Sequence, residues 1–84
     1  MPNDFLPSMR TLNDLRPRRR ARIRRHHAAG SVRQRLLALG LTPGAEVLMV
    51  RSAPLDDPIE LRLEATSITL RRREAGTVEI EDDE

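Results

Sequence analysis

Apolar and polar residues alternate strictly across residues 59–64, with Ile59, Leu61 and Leu63 on one side and Glu60, Arg62 and Glu64 on the other. A period of two places such residues on opposite faces of a half-buried β-strand. The pattern recurs at residues 20–26, where Ala21 and Ile23 alternate with Arg20, Arg22 and Arg24, and more briefly at Ile68 and Leu70 and at Val78 and Ile80. Around Val47, Leu48, Met49 and Val50 both faces are apolar, so the period leaves open which is buried. Only one segment has a helical period, with Val32, Leu36 and Leu39 facing the body of the protein. Ser31 reads as its N-cap, and Gln34, three residues on, completes a capping box. Gly40 reads as the left-handed residue that ends the helix, with Leu41 folding back onto Leu36. Pro43-Gly44 then turns the chain into the next strand.

Turn chemistry fills residues 53–58, where Pro54 and Pro58 bracket Leu55, Asp56 and Asp57. Thr11 and Asp14 form a capping pair for a single helical turn that ends before Pro17. Arg72 to Ala75 closes another short turn at Gly76. Five short strands with tight connections and one short inserted α-helix predict a mainly β fold, a small partly open barrel that curls to reduce its edges. A helical bundle is excluded by the single helical period. The expected organisation is a flexible extension over residues 1–10, tacked down by Phe5, Leu6 and Met9, a barrel over residues 11–80, and a solvated acidic tail over residues 81–84.

Composition narrows the class. At 84 residues there is room for one core, and one Phe with no Tyr or Trp makes it aliphatic. With no Cys, neither disulfides nor thiolate metal sites are available. No apolar run reaches the length of a membrane span and no secretory pattern opens the chain, so membrane insertion is not expected and a cytoplasmic location is. The net charge of +2 hides an asymmetry: residues 1–42 carry ten Arg against two acids, and residues 43–84 carry five Arg against eleven. One end therefore attracts anions and the other cations.

The chemistry this residue set can support is binding. There is no nucleophile–base pair and no glycine-rich phosphate loop, which excludes the common enzyme classes. His26, His27, Asp56, Asp57 and Glu60 are the metal-ligating candidates, for Fe²⁺ or Zn²⁺ bound weakly or between subunits. Adjacent strand residues point to opposite faces, so the two histidines cannot share one ion in a regular strand. No cofactor is required for the fold. The arginines at 16, 18, 19, 20, 22, 24 and 25 could neutralise phosphates, but the near absence of aromatics withholds base stacking, so specific nucleic-acid binding is not expected. A solvated strand face, or a patch meeting an acidic partner or lipid headgroups, is the favoured reading.

Arg33-Gln34-Arg35-Leu36-Leu37 followed by Leu39-Gly40-Leu41-Thr42-Pro43-Gly44 resembles the core motif of the FeoA family, small proteins that accompany the bacterial ferrous iron transporter FeoB. Thr11-Leu12-Asn13-Asp14-Leu15-Arg16-Pro17 is similar to the family's opening segment. Ala53-Pro54-Leu55 with Asp57-Pro58-Ile59-Glu60 is similar to its central turn, and Ile68-Thr69-Leu70-Arg71 with Glu74-Ala75 to its closing segment. The resemblance implies an SH3-like barrel and a non-catalytic accessory protein, docked on the cytoplasmic part of FeoB, a transporter that carries a GTPase domain, at the inner face of the membrane. Arg33, Arg35, Leu37 and Leu41, on and after the helix, are then the candidate partner-binding residues, since an exposed Leu beside Arg is typical interface material. A homodimer is compatible with this reading. Two other readings stand beside it: a nucleic-acid-binding small barrel, and a free-standing relative of the SH3-like domain of iron-dependent repressors. Three positions depart from the family pattern: Arg18, Asp56 and Ala65 stand where the family usually has Gly. Asp tolerates the left-handed region and Ala much less, so the hairpin at Ala65 is where the backbone is expected to differ.

Overall fold

Six antiparallel strands make one open sheet in the computed structural model, which describes residues 10–82. They are β1 (Arg10–Thr11), β2 (Arg20–His26), β3 (Glu46–Ser52), β4 (Ile59–Arg62), β5 (Ser67–Leu70) and β6 (Val78–Asp82), in the order β1-β6-β2-β3-β4-β5. Helix α1 (Gly30–Ala38) joins β2 to β3, and the one-turn α2 (Arg72–Ala75) joins β5 to β6. Of the extension expected over residues 1–10, residues 1–9 lie outside the described residues.

The strand beyond the expected five is β1, whose register is Arg10↔Ile80 and Thr11↔Glu79. Arg10 thus belongs to the sheet rather than to an extension. The acidic end also differs from expectation, because Glu81 and Asp82 continue β6 opposite Arg22 and Ala21 of β2. Glu81 and Arg22 are both exposed. Opposite charges directly across an antiparallel pair are favourable, so the acids extend the strand rather than ending it.

The two-faced β3 resolves cleanly. Val47 and Met49 are each 1% exposed, while Leu48 lies half-buried on the outer side. Val50, also half-buried, falls where the register against β4 shifts between Met49 and Arg51. Ala21, Ile23, Ile59, Leu61, Leu70, Val78 and Ile80 meet Val47 and Met49 in a core that Leu12, Leu15, Leu36, Leu41 and Ala75 complete. Burying each of the larger aliphatic side chains contributes roughly 1.5–3 kcal/mol.

Helix α1 ends as its sequence predicts and begins otherwise. Gly40 has φ +105°; its N–H donates to the Leu37 carbonyl at 3.0 Å, and that of Leu41 donates to Leu36 at 3.1 Å. This pair of bonds is the Schellman arrangement, and it seals Leu36 and Leu41 together at 0% exposure. At the other end the helix starts at Gly30, and no side chain caps it. The expected Ser31–Gln34 capping box is absent because Gly30, at φ +64°, makes the turn into the helix and leaves Ser31 already inside the first turn. Val32, in that same first turn, is 41% exposed rather than core-facing; of the expected stripe, Leu36 is buried and Leu39 packs against the core from the edge. Pro43 and Gly44 form the expected turn, with Ala45 N–H donating to Thr42 O at 2.9 Å and Gly44 at φ +93°.

Of the three departures from the family's glycine pattern, Arg18 (φ 67°) and Asp56 (φ 69°) adopt left-handed backbone, as does the exposed Leu55 (φ 72°). Ala65 does not. Its hairpin closes through Leu63 N–H to Thr66 O at 2.8 Å with no left-handed residue in the turn, which is how a Cβ is accommodated there.

One side chain ties the ends of the sheet together. Arg72 donates from Nε to the Asp56 carbonyl (2.8 Å), from Nη2 to Asp56 Oδ1 (3.0 Å) and from Nη1 to the Asn13 carbonyl (3.2 Å). Asn13 Nδ2 returns a bond to the Arg72 carbonyl at 2.9 Å, and the Arg72 N–H donates to Asp57 Oδ1 at 2.9 Å. The turn after β1, the β3–β4 turn that holds Pro54 and Pro58, and α2 are thereby clasped at a single point.

Candidate functional site

The four partner-binding candidates on and after α1 do not form one surface. Leu41 is in the core, held there by its N–H bond to Leu36. Arg35 is ion-paired through Nη1 with Glu74 Oε2 of α2. Arg33 stays exposed and Leu37 is half-buried, so what remains of the helix face is one cation beside a partly covered leucine.

The five metal-ligating candidates are likewise dispersed. His26 Nε2 meets the Leu41 carbonyl, an acceptor, so that nitrogen carries the proton; Nδ1 is buried without a partner. His27, one residue beyond β2, turns instead to β6, its Nε2 at 2.7 Å from Glu79 Oε1. Asp56 is engaged by Arg72, Asp57 by the Arg72 N–H, and Glu60 by Arg51 Nε at 3.0 Å. Among the described residues no group of three or more His, Asp or Glu converges as a metal site would need.

Two carboxylates are tuned by this pairing. Glu79 is held below its ordinary value by the hydrogen bond with His27 and, beyond that, by the nearby guanidinium groups of Arg25 and Arg24. Arg24 and Arg25 place Nε at 3.4 and 3.9 Å from its oxygens. Asp56 is lowered first by a hydrogen bond from Ser52 and then by Arg72. The arginine stripe of β2 is therefore divided: two of its members turn to Glu79 rather than standing as one row of free cations.

What sequence reasoning missed lies on the outer side of the sheet. Arg20 of β2 is opposite Leu48 of β3, and Leu48 is opposite Arg62 of β4. All three line an open groove of about 850 Å³ whose walls include Leu39, Gly40 and Leu63. Arg20 and Arg62 are exposed and make no ion pair with any described residue. The signal was present in the chain as the second apolar face of β3, but only strand register shows which residues flank it.

A curled antiparallel sheet with one inserted helix, an aliphatic core and an outer groove defines a small SH3-like barrel domain. The sequence model of the FeoA domain matches residues 10–82, the whole of the described fold. The chain belongs to the FeoA family. It is 34% identical over 70 residues to the Fe(2+) transport protein A/Fe(2+) transporter FeoB fusion protein of Porphyromonas gingivalis, a match covering 83% of this chain and 8% of that protein. The solution structure of iron(II) transport protein A from Clostridium thermocellum superimposes with a TM-score of 0.84 at 39% identity, covering 88% of this chain and 46% of that one. FeoA of Stenotrophomonas maltophilia, solved in complex with zinc and described as a prokaryotic SH3 domain protein, superimposes with a TM-score of 0.75 at 30% identity, covering 86% and 89% of the two chains. The chain thus spans less than a tenth of the fusion protein and about half of the Clostridium chain. Among the described residues no helix is long and apolar enough to cross a membrane.

Proposed function

We propose that this chain is a non-catalytic accessory protein of ferrous iron uptake, working in the cytoplasm by docking on the cytoplasmic part of a FeoB transporter. The observation that carries the reading is the Porphyromonas protein, in which a region similar to this chain is part of one polypeptide with FeoB. Covalent linkage holds a domain at high effective concentration beside its target, and a separate chain achieves the same proximity by binding. In this reading Fe²⁺ is the transporter's cargo, FeoB supplies the GTPase domain, and the barrel folds without a resident metal. The scattered placement of His26, His27, Asp56, Asp57 and Glu60 supports that assignment of roles. The division of the arginine stripe around Glu79 counts against a nucleic-acid role, since it removes two cations from the row that would track phosphates.

The test is genetic and biochemical together. Deleting the coding region of residues 10–82 should abolish or strongly reduce Fe²⁺ uptake in iron-poor medium, and supplying the chain in trans should restore it. FeoB from the same cells should retain the purified chain on a column. Uptake unchanged by the deletion would overturn the reading.

A further inference from the structure

Arg20, Leu48 and Arg62 form a straight cross-strand row on the outer face, cation–leucine–cation, fixed by the registers Arg20↔Leu48 and Leu48↔Arg62. Neighbouring strands are about 4.8 Å apart, so the two arginines stand on backbones roughly 10 Å from each other with the leucine midway. Both are exposed and unpaired within the described residues, while Leu48 is half-buried and lines the same groove as Leu39 and Leu63, which pack against the core. Five other arginines are ion-paired, Arg24 and Arg25 with Glu79, Arg35 with Glu74, Arg51 with Glu60 and Arg72 with Asp56. Arg16, Arg18, Arg33 and Arg73 share the exposure of Arg20 and Arg62 but do not flank a half-buried leucine on adjacent strands.

We propose that this outer face of β2, β3 and β4 is the docking surface, and that its occupant is an acidic amphipathic helix of the partner protein lying across the strands. The proposal rests on the docking reading above and adds the surface and the chemistry it selects. A helix rises about 1.5 Å per residue, so carboxylates at positions i and i+7 are roughly 10 Å apart and can meet Arg20 and Arg62 together. An apolar residue at i+3 or i+4 then falls on Leu48, on the same helix face. Charge complementarity also discriminates between classes of partner. Glu46 and Glu64 line the same groove, so a continuous polyanion such as a lipid surface or a nucleic-acid backbone meets like charge there. A helix can set discrete carboxylates opposite the arginines and other residues opposite the glutamates.

The experiment titrates the isotopically labelled chain with the purified cytoplasmic part of FeoB, comparing the native sequence with the Arg20→Glu/Arg62→Glu double variant. Both side chains are exposed, and circular dichroism checks that the fold is retained; Arg20→Gln/Arg62→Gln serves as a milder second variant. The expected result is NMR shift changes centred on Arg20, Leu48, Arg62 and Leu63, and a loss of affinity of about tenfold or more in the charge reversal. Equal affinity of variant and native chain, or shift changes confined to α1, would overturn the assignment of this surface and leave the docking reading standing. Failure of the native chain to bind FeoB at all would overturn both. The same shift changes on concentrating the chain alone would make the occupant a second copy. Arginine-dependent binding to phosphatidylglycerol-containing vesicles with none to FeoB would make it a membrane. Either of these results also overturns the proposal.

Discussion

On α1, Arg35 is bound to Glu74, which leaves Arg33 as the one arginine there in no ion pair with a described residue, and Leu41 beyond the helix is sealed under Leu36. On the outer sheet face, both Arg20 and Arg62 lack an ion pair with any described residue, on either side of a half-buried leucine. Both regions pair arginine with leucine, and on the helical wheel alone the helix is the more obvious interface. The difference lies in what the rest of the chain brings to each. Glu74 arrives on α2 from 39 residues away and occupies Arg35, and the Schellman turn folds Leu41 inward. Nothing among the described residues does the same for Arg20 and Arg62. A docking face is marked by what stays unpaired after folding, and that cannot be judged one element at a time.

The comparison can be broken most sharply at the glycine where the two regions meet. Gly40 ends α1 and also lines the groove, and a Cβ built there stands 2.9 Å from Leu63 Cδ1 on backbone at φ +105°. Gly40→Val should lower stability by about 2 kcal/mol or more, from left-handed strain and the clash together, visible as a lower midpoint in urea. A midpoint equal to that of the native chain would mean that the helix does not end at Gly40.

Next in size is the effect on docking. The charge reversal at Arg20 and Arg62 should weaken FeoB binding about tenfold, whereas an Arg33→Glu/Leu37→Glu variant on the helix face should change it less than about threefold while keeping its native circular dichroism. The opposite ranking would return the interface to α1. Arg35→Ala tests the pairing that distinguishes the two regions. Both partners are partly exposed, so the loss should be about 0–1 kcal/mol and should shrink in high salt.

The smallest effect is the acid response of the Glu79 cluster. Because its carboxyl is held below the ordinary value of 4.5, its contribution is fully present above that pH and is lost as pH falls through its lower folded-state value. His27→Ala removes the largest cause, so the Glu79 titration followed by NMR should move up toward 4.5. No movement would show that Arg24 and Arg25 hold the carboxylate by themselves.

Much of this barrel was legible because strand alternation is a local property. Ala21 and Ile23, and Ile59 and Leu61, declare their faces without knowledge of any neighbour. The end of α1 was legible for the same reason, since Leu36, Gly40 and Leu41 are close in the chain. Its beginning was not: Ser31 has the chemistry of a cap, but Gly30 supplies the turn first. β1 is two residues long, too short to show a period, and Glu81 pairs opposite Arg22 through a register that no local pattern records. The row from Arg20 through Leu48 to Arg62 was invisible for the same reason. The metal candidates were chosen by residue type, and residue type does not show that Arg51 and Arg72 would claim Glu60 and Asp56.

The clasp at Arg72 has a kinetic meaning as well as a structural one. Its bonds reach Asn13, 59 residues away, and Asp56, 16 residues away, so the complete set requires three distant turns to be in place at once. Contacts of such long separation form late, after the hairpins between β3, β4 and β5 have collapsed. Removing the guanidinium with Arg72→Ala should therefore leave the refolding rate almost unchanged and raise the unfolding rate. The lifetime of the closed barrel, rather than the speed at which it is reached, is what this one arginine governs.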